Sequence, residues 1–105
     1  MVKRIALAAT VAAGALAVAG PAAAATDPGA TVFTANGCAA CHTLAVAKAS
    51  GKIGPNLDKT KPSQAKVISI VTKGKGAMPA FKGRLSTAQI KAVATYISKN
   101  AGKKK

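Results

Sequence analysis

Two cysteines and a histidine form the most reactive stretch of the sequence, Cys38-Ala39-Ala40-Cys41-His42. On a helical turn, Cys38 and Cys41 would share one face, so both sulfurs could form thioethers with the two vinyl groups of one porphyrin. His42 follows directly, and a neutral imidazole is a common haem ligand. The spacing therefore predicts one covalently bound haem c, attached through Cys38 and Cys41, with His42 on the iron.

Three other interpretations of the cysteine pair remain open at this point. A thioredoxin-like dithiol would need a βαβ context, which the Ala-rich flanks do not favour. A zinc site would need four ligands, and the sequence offers Cys38, Cys41 and His42 without a second cluster. A structural disulfide closing so short a loop would constrain the unfolded chain little, and it would leave His42 without a role.

Met78 is the candidate for the sixth iron ligand. It is the one methionine besides Met1, and it stands in a Gly-flanked loop just before Pro79, which biases its backbone to extended geometry. A single methionine often fills a gap in a core. The haem motif upstream favours ligation by its thioether, because His and Met together are a known haem ligand pair.

The N-terminal residues have the pattern of a secretory signal. Lys3 and Arg4 precede an apolar run over residues 5–19, and a row of alanines at 22–25 offers a cleavage site. The run is shorter than the about 20 residues of a spanning helix, although an uncleaved anchor is the alternative. We expect a cleaved signal peptide over residues 1–25, a haem domain over 26–102 and a basic tail over 103–105, with the mature protein exported to the periplasm or the extracytoplasmic face of the envelope.

Helix start and stop signals divide the remaining 80 of the 105 residues into three helical segments. Asp27-Pro28 should begin the first helix, which carries Val32 and Phe33 and ends by Gly37. Pro62 should open a second helix that ends at Gly74, and Ser86 with Gln89 should form a capping box for a third that ends near residues 100–102. The segment 43–60 between them should be mostly loop, with Ile53 and Leu57 as apolar contacts.

The chain is strongly basic, with 16 Lys and Arg, 2 Asp and Glu and a formal net charge of +14. Such a charge can serve solubility and loose attraction to an anionic membrane surface, or it can steer the protein toward an acidic redox partner. Nucleic-acid binding is disfavoured, because the few aromatic residues do not alternate with the lysines. With one Tyr, two Phe and no Trp, so small a domain also needs a bound group to complete its core.

The order of these features resembles the class I c-type cytochromes, in particular the cytochrome c6-like group of small electron carriers. The resemblance rests on Val32–Asn36 before the haem motif, on Gly54-Pro55-Asn56-Leu57, on residues 77–81 around Met78, and on the capped C-terminal helix. It implies an all-α fold of three to four helices around the haem, with the first and last helices crossing. It also implies that the carbonyl oxygen of Pro55 accepts a hydrogen bond from the His42 imidazole.

Three functions are compatible with these residues. A one-electron carrier, monomeric and not an enzyme, is favoured because His42 and Met78 would saturate the iron. A haem subunit of a larger dehydrogenase or oxidase complex is the alternative. A haem enzyme or gas sensor would need an open iron position, which Met78 would close.

Overall fold

The computed structural model describes residues 27–104, so the expected signal peptide, residue 26 and Lys105 lie outside the described part. Within it the fold is mainly helical. The α-helices are α1 (Pro28–Ala35), α2 (Cys38–Cys41), α3 (Leu57–Thr60), α4 (Gln64–Lys73) and α5 (Thr87–Asn100). A 3₁₀ helix (Ala45–Ala47) connects β1 (Thr43–Leu44) to β2 (Ala49–Ser50), which pair as a small antiparallel ladder.

The three long helices form where the sequence predicts them. The Asp27 carboxylate accepts a hydrogen bond from Gly29 N at 2.8 Å and caps α1, with Pro28 as the first helical residue. At α5, the Ser86 hydroxyl accepts from Gln89 N and the Gln89 side chain accepts from Ser86 N, so the expected capping box is confirmed.

Helix α4 begins two residues later than expected. Ser63 rather than Pro62 sets its start, because the Ser63 hydroxyl accepts a hydrogen bond from Lys66 N at 3.1 Å. The helix ends at Gly74, as predicted, and Gly74 has φ +78°. The three to four expected helices are five among residues 27–104, because α2 and α3 are single turns of four residues that show no periodicity.

The first and last long helices pack closely against each other. Gly29 is buried, and its backbone approaches Ala92 O and the Tyr96 Cβ so closely that no side chain would fit there. One turn along α1, the Phe33 ring lies 6.1 Å from the Tyr96 ring, tilted by 60°. This contact fixes α1 on α5, and α1 leads through Asn36 and Gly37 directly into α2.

The core combines side chains from these helices with residues from the loops between them. Phe33, Leu44 and Ala94 are fully buried. A side-chain hydrogen bond of 2.7 Å from Gln64 Nε2 to the Thr95 hydroxyl joins α4 to α5. Among residues 27–104 no polar or charged residue is buried. The buried apolar residues are Val32, Phe33, Leu44, Ala49, Leu57, Val67, Val71, Phe81, Ile90, Val93, Ala94, Tyr96 and Ile97.

One expected core contact is wrong. Leu57 is buried, but Ile53 is 76% exposed. The neighbouring glycines Gly51 and Gly54 are held against Cys41 and His42 by backbone hydrogen bonds, so the two residues between them bulge outward. Apolar character alone could not show this.

Candidate functional site

The two cysteines lie on α2, as the sequence predicts. Gly37 starts this turn with φ +76°, and the turn ends at His42, whose backbone is extended. Both cysteines are free thiols and are partly buried. Burial raises the pKa of the Cys38 thiol, and the proximity of Cys41 raises it further. Two free thiols on one short turn fit the attachment chemistry of a haem c.

The imidazole of His42 is held by the loop that follows. Its Nδ1 lies 2.8 Å from Pro55 O. A carbonyl oxygen can only accept a hydrogen bond, so Nδ1 carries the proton and donates it to Pro55. The lone pair is then on Nε2, which is the nitrogen left to bind a metal. The hydrogen bond expected from the family resemblance is therefore present in the structure.

A short ladder of backbone hydrogen bonds positions this loop. Gly51 N donates to His42 O at 3.1 Å, and Gly54 N donates to Cys41 O at 2.7 Å. Beyond Pro55, the Asn56 side chain accepts hydrogen bonds from Asp58 N and Lys59 N and caps α3. These bonds fold the segment between Cys41 and α3 back onto Cys41 and His42, which brings Pro55 next to the imidazole.

Asp58 was not among the expected site residues, yet it ties three segments together. Its Oδ2 accepts from Ala45 N at 2.8 Å, and its Oδ1 accepts from Gly102 N at 2.7 Å. These bonds connect α3 to the 3₁₀ helix and to the C-terminal end of α5. Local sequence patterns could not reveal contacts over such separations. The one available signal was that Asp58 is one of only two acidic residues in a strongly basic chain.

Met78 lies in a separate loop, between α4 and α5. Met78 and Lys75 exchange two backbone hydrogen bonds of 3.0 Å each, across the turn formed by Gly76 and Ala77. Gly74 lies beneath this turn, and Phe81 N donates to Val71 O at 2.8 Å, which fastens the loop to the end of α4. Met78 and Cys38 are both partly buried and pack against the one apolar core.

These residues meet the requirements of a haem c site better than those of the alternatives. Cys38, Cys41 and His42 supply the attachment sulfurs and an imidazole with a free Nε2. The cysteines are not disulfide-bonded. Among residues 27–104 no group of three or more His, Cys, Asp or Glu side chains is placed to hold a metal ion, as a zinc site would need.

Known proteins are similar to this chain over most of its length. The family model for cytochrome C oxidase, cbb3-type, subunit III matches residues 24–97. Cytochrome c6 of Leptolyngbya boryana is 44% identical over 79 residues, which cover 71% of this chain and 92% of that protein.

Two solved structures are similar in fold as well as in sequence. The c-type cytochrome SorU from Sinorhizobium meliloti is 47% identical with a TM-score of 0.70, over 74% of this chain and 92% of SorU. Cytochrome c6C from Synechococcus sp. PCC 7002 is 31% identical with a TM-score of 0.56, over 72% and 96% of the two chains.

Proposed function

We propose that this protein is an exported shuttle that diffuses between redox partners. The proposal starts from its family, because the chain belongs to the c-type cytochromes and is a haem-based electron carrier with one covalently bound haem c. When bound, the haem supplies a one-electron ferric–ferrous couple. The observation that carries the proposal is the 2.8 Å contact from His42 Nδ1 to Pro55 O, which leaves Nε2 for the iron.

We assign the iron ligands to His42 and Met78, and the thioether bonds to Cys38 and Cys41. The hydrogen bond to Pro55 fixes the tautomer of His42. It also makes Nε2 more basic, so that the imidazole would bind the iron more strongly. The paired backbone bonds between Lys75 and Met78 hold the methionine backbone in one place. With His42 and Met78 both bound to it, the iron would exchange electrons without binding substrate, which is what a carrier requires.

The charge distribution supports partners with acidic docking surfaces. Both acidic residues are engaged in the fold, Asp27 as the cap of α1 and Asp58 as the acceptor from Ala45 and Gly102. Lys73, Lys75 and Lys82 are exposed on the loop that carries Met78 or next to it. Positive charge near the site where electrons leave accelerates encounter without holding the complex together.

The place of action follows from the expected signal over residues 1–25. We propose the periplasm or the extracytoplasmic face of the envelope, with a monomeric protein that associates loosely with anionic membrane surfaces. In the described part of the chain, no helix is long and apolar enough to cross a membrane.

A second function is favoured by one observation, the match of residues 24–97 to the model of a cbb3-type oxidase subunit. The chain would then be a haem subunit of a larger dehydrogenase or oxidase. Size-exclusion chromatography of whole cells lysed gently in mild detergent distinguishes the two functions. A lasting stoichiometric complex supports the subunit, whereas a haem protein that elutes at the size of a monomer supports the shuttle.

The steering hypothesis, that the lysines near Met78 attract acidic partners, is tested with two small oxidants, one anionic and one cationic. We expect Lys75→Glu with Lys82→Glu to slow oxidation of the ferrous protein by anionic hexacyanoferrate(III) several-fold at low salt, because the local positive charge is lost. The difference should shrink as salt rises and the Debye length falls to about 8 Å at physiological ionic strength. With cationic tris(phenanthroline)cobalt(III), the same variant should react faster.

Lys103→Glu with Lys104→Glu is the matched control, because it changes the net charge equally at the C-terminal tail. It should have a much smaller effect. If the tail variant slows the reaction as much as the loop variant, the lysines act only through the overall charge and the steering hypothesis is wrong.

A further inference from the structure

The backbone of Gly54 lies close to the imidazole of His42. A Cβ atom built on Gly54 would lie 2.7 Å from His42 Cε1, 3.0 Å from Nδ1 and 3.2 Å from Nε2. These separations are shorter than ordinary van der Waals contacts, so no side chain fits between Gly54 and the ring. We propose that Gly54 is a positioning residue that sets the plane of the His42 imidazole. The proposal rests on the proposed function, because it takes His42 as an iron ligand.

The three distances show where Gly54 lies relative to the ring. A Cβ on Gly54 would be only slightly farther from the two nitrogens than from Cε1, so the missing side chain would point at the face of the imidazole rather than at its edge. Pro55 O, in contrast, accepts the hydrogen bond from Nδ1. Two consecutive residues therefore constrain the same ring in two ways, one against its face and one at its Nδ1.

The backbone of Gly54 cannot readily retreat from the ring. Its N–H donates to Cys41 O at 2.7 Å, and Cys41 is the residue directly before His42. The distance between the loop and the imidazole is thus set by the peptide that carries the imidazole. The positive-φ freedom of glycine is not the reason for Gly54; what the position requires is the absence of a Cβ.

A side chain at this position would change the chemistry of the ligand. Either the ring turns or the loop moves outward, and in both cases the bond from Nδ1 to Pro55 O lengthens. An imidazole whose Nδ1 donates a weaker hydrogen bond is less basic at Nε2 and is therefore a weaker ligand. Since a basic ligand favours ferric iron, weakening it raises the midpoint potential.

Two other glycines provide matched controls. A Cβ on Gly51 would lie 2.6 Å from the backbone atoms Ala40 C and O and Cys41 N, so it would disturb the same loop without meeting the imidazole. A Cβ on Gly83 would meet nothing within 4 Å, although its φ is +86°. Gly51→Ala reports on general distortion of the loop, and Gly83→Ala reports on backbone strain far from it.

The experiment compares the three alanine variants as complete haem proteins. We expect Gly54→Ala to raise the midpoint potential most and to speed solvent exchange of the His42 Nδ1 proton roughly fivefold to tenfold, as loss of one hydrogen bond implies. Gly51→Ala should also destabilise the fold but should shift both quantities less. The proposal is wrong if Gly54→Ala leaves them unchanged, or if Gly51→Ala shifts them equally.

A measurement on the unmodified protein covers the case in which Gly54→Ala does not retain haem. In the diamagnetic ferrous form, a Gly54 α-proton should show a strong NOE to the His42 ring proton on Cε1. Absence of this NOE, with the ring protons strongly shifted by the haem, overturns the positioning role alone. Ring protons without any haem shift would show that His42 is not a ligand, and the proposed function would fail with the inference.

Discussion

The two loops that carry the proposed iron ligands hold them in different ways. In the histidine loop, residues 42–56, the protein holds the side chain itself, through Pro55 O at Nδ1 and Gly54 over the ring face. In the methionine loop, residues 74–85, the paired bonds between Lys75 and Met78 fix the backbone. The thioether beyond it has three rotatable bonds and is a weak hydrogen-bond acceptor.

This difference assigns separate roles to the two sides of the haem. The His42 ring is oriented by the protein itself, and in the proposed site its neighbours Cys38 and Cys41 would tie it to the macrocycle. In the proposed site the backbone of Met78 is held in place, but its sulfur would be fixed only by the bond to the iron. The sulfur–iron bond is therefore the one that should break first under stress.

The largest expected effect comes from removing the covalent attachment on the histidine side. Cys38→Ala with Cys41→Ala should leave a poorly folded chain, because two Phe and one Tyr cannot complete the core of so small a domain. Circular dichroism melts and limited proteolysis measure this. Met78→Ala is the control, since it should keep the haem and the fold. A cooperative, protease-resistant protein without haem would contradict the expectation.

Two glycines of the methionine loop test how firmly the Met78 backbone is held. Both Gly74 and Gly76 have positive φ, but a Cβ on Gly74 would lie 2.7 Å from Ala80 N and 2.8 Å from Met78 O, whereas one on Gly76 meets nothing within 4 Å. Gly76→Ala should lower the free energy of unfolding by about 1 kcal/mol. Gly74→Ala should lower it by a further ~1–3 kcal/mol, as overpacking does.

Urea unfolding followed by circular dichroism measures both values. Equal losses of unfolding free energy for the two variants would mean that Met78 and Ala80 move aside to admit the new side chain. The backbone of the methionine loop would then be held less firmly than its hydrogen bonds suggest.

The smallest expected effect concerns Tyr96 of α5, which lies against Phe33 of α1. Burial raises the pKa of its hydroxyl above the usual value of 10.0, and the Asp27 carboxylate adds to this. The fold thus favours the neutral form, so this contribution to stability is complete below about pH 10 and is lost as pH rises through the folded-state pKa.

NMR titration of the Tyr96 ring protons should give a midpoint above that of free tyrosine. Tyr96→Phe should remove the corresponding part of the alkaline loss of stability. A midpoint at or below the free value would show that the ring is more accessible to water than its packing on Phe33 indicates.

The sequence predicted the parts of the fold that local signals control. The start of α1 at Asp27-Pro28 and the capping box of Ser86 and Gln89 depend on residues only a few positions apart. The apolar face of α5 is likewise a local pattern, because Ile90, Val93, Ala94 and Ile97 recur at helical spacing in the sequence, and all four are buried.

Contacts between distant segments could not be predicted in the same way. The exposure of Ile53 depends on where Gly51 and Gly54 are anchored, and the two bonds of Asp58 reach Ala45 and Gly102. The family resemblance implied the hydrogen bond from His42 to Pro55, but the lack of room for a side chain between Gly54 and the His42 ring became visible only in the structure. In the sequence Gly54 is only the first residue of Gly54-Pro55-Asn56-Leu57, although the expected hydrogen bond to its neighbour Pro55 indicated that the backbone there lies close to His42.

The central claim is that His42 and Met78 together ligate the iron of one haem c, and optical spectra of the protein and of Met78→Ala test it most directly. The ferric protein should show the weak band near the red end of the spectrum that reports sulfur on iron. Met78→Ala should lose this band, bind carbon monoxide in the ferrous form and have a lower midpoint potential, while the haem stays covalently attached. An unchanged spectrum in Met78→Ala would contradict the account and place another ligand, with Lys75 the first to examine, on the iron.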